Sequence, residues 1–175
     1  MLLRTEDIMI KLPSELELKS IHETWKINYI YSKQNRFTTK KIAPYELDIK
    51  GLTNNHRKCL ETLEQWLKRK ANRHLGAWLK AISEDTELHF HDYVIRGQKT
   101  LWGSCTEDKI INLNFKLLFL PAPLVDHIIL HELCHTKEMN HSQNFYQLLS
   151  NFDSSYRQHN KILKTAYKFL PNCFS

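Results

Sequence analysis

An apolar run that carries two histidines one helical turn apart constrains the fold of this chain more tightly than any other feature. Leu124, Val125, Ile128, Ile129, Leu130, Leu133 and Cys134 surround His131, Glu132 and His135 in the stretch PLVDHIILHELCH. Residues four apart share one face of a helix, so both imidazoles can reach a single ion. Pro123 suits a first turn, where its fixed φ and missing N–H cost nothing, and Asp126 suits the positive end of the helix dipole. A plain core helix would leave His131, Glu132 and His135 interrupting a buried surface without partners, at a desolvation cost. The segment is therefore read as a helix that holds a metal.

The spacing is HExxH, the arrangement of zinc peptidases, in which the glutamate acts on water without being a ligand. A tetrahedral catalytic site needs a third protein ligand and one open position. His141 is the first choice, because borderline-soft zinc accepts imidazole readily; Asp153 is the rival. On a straight helix His141 would be rotated by about 240° from His135, so it can bind only if the helix stops and the chain folds back. Asn140 is the best local residue for a left-handed turn. Ser142 can then cap a new helix bearing Phe145, Leu148, Leu149 and Phe152.

The chain of 175 residues, 42% apolar and 25% charged, reads as one soluble globular domain spanning 1–175, with no linker or low-complexity run. Its opening segment MLLRTEDIMIKLP lacks the apolar core of a signal peptide. The apolar stretch 117–130 is broken by two prolines, Asp126 and His127, so no membrane span is expected. Cys59, Cys105, Cys134 and Cys173 show no close pairing and read as reduced core thiols, which points to a cytoplasmic protein.

Pattern places the elements around the site. Loose alternation over 17–45 predicts two or three strands within an N-terminal segment 1–50. Leu60, Leu63, Leu67, Ala71, Leu75, Trp78, Leu79 and Ile82 predict a long helix over 53–83, capped by Asn54 or Asn55 and broken near Gly76. Strands are expected at 88–95, 100–105 and 109–114, with a hairpin turn at Thr106, Glu107 and Asp108. The site helix, the cap helix and a terminal helix over 154–169 complete segment 88–170. The fold class is α+β: a small, mostly antiparallel sheet flanked by helices.

Four motifs follow one another: RGQKTLWGSC (96–105), NLNFKLLFLP (112–121), HELCH (131–135) and MNHSQNF (139–145). In that order they resemble the YgjP-like metal-dependent hydrolases, distant kin of the SprT-like and Wss1-like zinc proteases. The specific resemblance covers 94–167; the first 90 residues agree only in layout. It implies a zincin-like peptidase domain, a Zn²⁺ cofactor held by His131, His135 and His141, and Glu132 in catalysis. The expected reaction is hydrolysis of a peptide bond, with Glu132 as general base toward water and a peptide or protein as substrate.

Weaker signals are weighed beside it. Asn114 and Lys116, on the strand leading to the site helix, are candidates for binding a substrate that adds to an edge strand. Tyr146, Tyr156 and Arg157 are candidates for an additional oxyanion donor. Arg96, Gln98, Lys99 and Trp102 form a polar–aromatic cluster that supports the site or contacts substrate. His89 and His91 read as the solvated face of an edge strand, His127 as a packed or solvent-facing histidine, and His159 as surface. The net charge of +6 is concentrated in Lys26, Lys33, Arg36, Lys40 and Lys41, and in Lys68, Arg69, Lys70 and Arg73. Such runs are usually solvated faces, but they admit nucleic acid as a partner. Alternative functions are therefore an SprT-like protease associated with nucleic acid, or a zinc-stabilised nucleic-acid-binding module without catalysis.

Overall fold

The structure is a computed structural model and describes residues 11–175. The reading of the opening segment as lacking a signal peptide falls mostly on residues outside that range. Four strands come first: β1 (Glu15–Leu18), β2 (Glu23–Tyr31), β3 (Thr38–Ala43) and β4 (Glu46–Gly51). Alternation along β2 and β4 buries Trp25, Ile27, Leu47 and Ile49 on one face. These strands form a sheet of order β1-β2-β4-β3 in which β2 and β4 run parallel.

Helix α1 (His56–Thr86) follows without a break. Asn55 caps it, its side chain accepting a hydrogen bond from the Lys58 amide at 3.0 Å. Leu63, Leu67, Ala71, Leu75 and Leu79, at four-residue steps, are fully buried. The expected break at Gly76 is absent. Gly76 is buried under the Tyr93 ring, whose hydroxyl occupies the place a side chain would take. Glycine serves there for close packing, and the helix runs on.

Strands β5 (Asp92–Arg96), β6 (Gly103–Cys105) and β7 (Ile110–Asn114) form a second sheet of order β5-β7-β6. The strand expected at 88–95 starts at Asp92, so His89 and His91 both precede it, and exposed His91 contacts the Asp108 carbonyl through Nδ1 at 2.7 Å. The hairpin lies where expected, with Lys109 in left-handed conformation (φ 58°). The single, mostly antiparallel sheet of the sequence reading is thus corrected to two sheets, each mixed. In both, the chain crosses over before a hairpin brings the next strand back, which pairs β2 with β4 and β5 with β7 in parallel.

A 3₁₀ turn (Phe115–Phe119) leads into α2 (Ala122–Cys134), then α3 (Gln143–Phe152) and α4 (Tyr156–Leu163). The terminal helix expected over 154–169 is shorter and ends in a separate 3₁₀ turn at Ala166–Phe169. Helix α2 is buried almost all round, as a helix apolar on every side must be. All four cysteines are free. No helix among the described residues is long and apolar enough to cross a membrane.

Candidate active site

Helix α2 ends at His135 because the chain tightens there. The Thr136 amide and hydroxyl both donate to the Leu133 carbonyl, at 2.9 and 2.7 Å. The Lys137 and Glu138 amides share the Cys134 carbonyl, each at 3.0 Å. The left-handed turn expected at Asn140 does not form: the described residues with positive φ are His22, Tyr45, Glu87 and Lys109. Short turn bonds reverse the chain instead. Ser142 caps α3 as expected, its hydroxyl accepting from the Phe145 amide at 3.3 Å.

This return brings His141 back over the last turn of α2. The candidate ligand atoms of His131, His135 and His141 lie within 4.8 Å of one another. Nε2 of His141 is 3.0 Å from Nε2 of His131. Nδ1 of His135 sits 3.0 Å from the Glu138 carbonyl oxygen, an acceptor, so Nδ1 carries the proton and Nε2 presents its lone pair. Burial, then the neighbouring histidines, push His131 down to about 3. Burial chiefly lowers His135 as well. These rings stay neutral at physiological pH, the form that ligates a metal. Three convergent imidazoles are a donor set that suits Zn²⁺.

Phe145 forms the floor beneath them. Its ring is fully buried, with centroids 4.9, 4.5 and 4.8 Å from those of His131, His135 and His141. Sequence reasoning placed Phe145 on an apolar helix face and missed this contact. The available signal was its position three residues after the Ser142 cap, just past His141.

Glu132 is only 6% exposed. Burial pushes its carboxyl up to about 8. It borders a cavity of about 220 Å³ together with Thr100, Trp102, Gly103, His131 and Leu163. Gly103 begins β6 and lies directly against the Glu132 side chain. The loop before it is pinned: Trp102 stacks on Tyr167 at 5.0 Å, and the Tyr167 hydroxyl donates to the Thr100 carbonyl at 3.1 Å. Trp102 of the polar–aromatic cluster thus lines the cavity, while Arg96 turns to Asn112, donating from Nε at 3.2 Å.

Three histidines thus converge, and one of them, His131, borders the same cavity as the buried Glu132 carboxyl. The YgjP-like metallopeptidase domain description matches residues 5–166. The chain belongs to the YgjP-like family. That match reaches far beyond the 94–167 of the motif resemblance and takes in the first sheet and α1. Comparison with curated proteins and with solved structures returned no match. Membership makes this a domain of metal-dependent peptidases, hydrolases of peptide or protein substrates.

Within the YgjP-like domain, Asp153 does not join the three histidines. It terminates α3, and its Oδ2 accepts from Nδ1 of His127 at 2.6 Å and from Nδ1 of His159 at 2.9 Å. Burial alone would raise the Asp153 carboxyl, but these two bonds hold it below its usual value. His127 is a packed histidine, 1% exposed, whose Nε2 faces the Asn160 side chain at 3.0 Å. His159 is part of this network and not a surface residue as expected. The network ties α2, α3 and α4 together behind the cavity, and Asn160 and His127 both reach its wall.

The substrate-binding candidates sit elsewhere. Asn114 ends β7, which is the central strand, so the free edge beside the site belongs to β6. The Asn114 amide is buried and donates to the Gln98 and Leu101 carbonyls, both at 2.8 Å. Lys116 lies in the 3₁₀ turn and borders a different cavity with Glu64, Gly97 and Phe115. Of the candidate oxyanion donors, Tyr146 stacks on His141 with centroids 6.1 Å apart, and Tyr156 stacks on Tyr146 at 5.7 Å. Arg157 is bonded from Nε to the Tyr156 hydroxyl at 3.1 Å, one ring further out.

Proposed function

We propose that this chain is a zincin-type, zinc-dependent peptidase in which His131, His135 and His141 hold the ion and Glu132 is the general base. The observation that carries the reading is the convergence of three imidazole nitrogens beside a buried carboxyl that faces an open cavity. When bound, a divalent ion supplies Lewis acidity there, acidifying water and polarising a carbonyl. Glu132 accepts the proton of the attacking water and delivers it to the leaving amine. Burial alone raises the Glu132 carboxyl, and a cation held beside it would favour the charged form, the form that accepts a proton. The Glu138 carbonyl fixes the ring of His135, and Phe145 keeps water from beneath all three rings. Of the three candidate oxyanion donors, Tyr146 is the one whose ring contacts a proposed ligand, His141.

The substrate backbone lies along the free edge of β6, next to Glu132, in place of the β7 strand that carries Asn114. One substrate side chain enters the cavity bordered by Trp102 and Leu163. At about 30 Å³ per water-sized group, the cavity admits roughly seven heavy atoms, the size of a Phe side chain, and so also accepts the smaller Leu or Met.

A panel of peptides and small amides, incubated with wild type and Glu132→Gln with and without a chelator, tests the reading. Wild type should cleave peptides in a chelator-sensitive way, and Glu132→Gln should retain metal but lose turnover by about 10²–10⁴-fold. Cleavage confined to non-peptide amides or esters would reject a peptidase. A fully active Glu132→Gln would reject the general base.

A further inference from the structure

The two basic runs of the sequence are not used by the metal site, and the fold gathers part of each into one groove. The groove, about 560 Å³, lies between the β3–β4 turn and α1. Its wall holds Lys41 from the first run, Arg69, Lys70 and Arg73 from the second, and the aromatic rings of Tyr45 and Trp66. It shares no residue with the cavity beside Glu132.

Its cations differ in how far they are committed. Lys70 pairs with Glu23 at 2.6 Å and lies over the buried Trp25 ring at 4.6 Å. Among the described residues no carboxylate pairs with Lys41, Arg69 or Arg73, and all three are exposed. Arg69 spends one donor on the Thr39 hydroxyl at 3.2 Å, and among the described residues the rest of its fork has no partner. Among the described residues Glu23 is the one carboxylate in the groove wall, and Lys70 already neutralises it.

Tyr45 is the second, independent observation. It is 49% exposed and held at φ 59°, a left-handed conformation that a bulky residue adopts at a cost. Its ring meets Trp25 edge to face at 5.7 Å and lines the groove while staying half exposed. The left-handed φ is set by the two-residue Pro44–Tyr45 loop of the β3–β4 hairpin, but a solvated basic face does not require an exposed aromatic there.

We propose that this groove binds single-stranded nucleic acid, with Lys41, Arg69 and Arg73 on phosphates and Tyr45 and Trp66 as stacking surfaces for bases. A positive channel lined by aromatic rings is the common design for binding single strands without sequence preference. An acidic peptide would engage the cations but would leave the presented phenol without a task. The inference does not depend on peptidase activity.

Fluorescence anisotropy of a labelled twelve-nucleotide oligo-dT with the whole protein tests it. Saturable binding should weaken with salt, with a log–log slope of about −2, from about −0.7 for each of three neutralised phosphates. Arg69→Ala/Arg73→Ala should make that slope shallower by about 1.4. Tyr45→Asn keeps a side chain that tolerates the left-handed backbone, and should weaken binding about tenfold with the slope unchanged. Melting temperature and metal content, measured on each variant, establish that it is folded. Absence of saturable binding would overturn the proposal. So would oligo-glutamate displacing the oligonucleotide at equal concentration, or the folded arginine double variant binding like wild type.

Discussion

A Cβ added to Gly103 would lie 2.8 Å from Oε1 of Glu132 and 2.9 Å from its Cγ. The glycine that begins β6 therefore sets the position of the carboxyl: the backbone approaches so closely that no side chain fits between them. Gly103→Ala must displace the whole Glu132 side chain, because Cγ as well as the carboxylate is in the way. Misplacing a catalytic group by about 1 Å costs on the order of 10²-fold in rate. Gly103→Ala should lose peptide cleavage to about that extent while its metal content, read by elemental analysis, stays at the wild-type level.

Phe145 touches all three candidate ligand rings from below, so its removal should act on the metal and on the fold together. Truncating a fully buried Phe to Ala costs about 3–5 kcal/mol. The cavity left behind would let His135 and His141 reorient. Phe145→Ala should show a lowered denaturation midpoint and weaker zinc binding in competition with a chromogenic chelator. Unchanged zinc affinity in the folded variant would mean that the turn after His135 alone positions the triad.

Acid–base linkage in the metal-free protein should show two opposing trends. Folded Glu132 is raised from 4.5 to about 8. Across that interval the unfolded chain has lost a proton that the folded chain keeps, so rising pH favours unfolding. Glu132→Gln removes this dependence. In the presence of chelator the variant should match wild type near pH 4.5 and exceed it by up to a few kcal/mol at pH 8. His131 runs the other way: its folded value is lowered from 6.5 to about 3, so its contribution is complete above pH 6.5 and is lost as pH falls toward 3. Urea midpoints measured from pH 4 to 8 would show whether the variant and wild type diverge in this direction.

These relationships divide by how far they reach along the chain. The four-residue step of Leu63, Leu67, Ala71, Leu75 and Leu79 is local, and the long helix was legible from it. The Ser142 cap and the hairpin at 106–109 were legible for the same reason. The parallel pairings of β2 with β4 and of β5 with β7 depend on crossovers that no local pattern encodes. Gly76 read as a break because its partner, Tyr93, is a neighbour only in the folded state. Asn140 read as the turn because side-chain chemistry favoured it, but Thr136 and the tightened end of α2 reversed the chain without it. Gly103 was legible only as part of the RGQKTLWGSC motif; that it leaves room for Glu132 depends on a contact made only in the folded state. The three histidines were the most legible part of the site, because their spacing and the short return to His141 are nearly local.

The separation of Asp153 from the three histidines makes the choice of third ligand testable by subtraction. His141 lies 3.0 Å from His131, whereas Asp153 is bound by His127 and His159. Groups that merely orient a ligand change metal affinity by about 10–100-fold when removed, so loss of a direct ligand should exceed that range. His141→Ala should weaken zinc binding by more than about 100-fold and, being exposed, should leave the metal-free melting temperature nearly unchanged. Asp153→Asn should do the reverse. It removes the charge that accepts from two histidines, one of them fully buried, and should destabilise the fold by about 1–3 kcal/mol with zinc affinity largely retained. Paired zinc titrations and melts of the two variants decide the matter: strong zinc loss in Asp153→Asn with retention in His141→Ala would move the third ligand to α3.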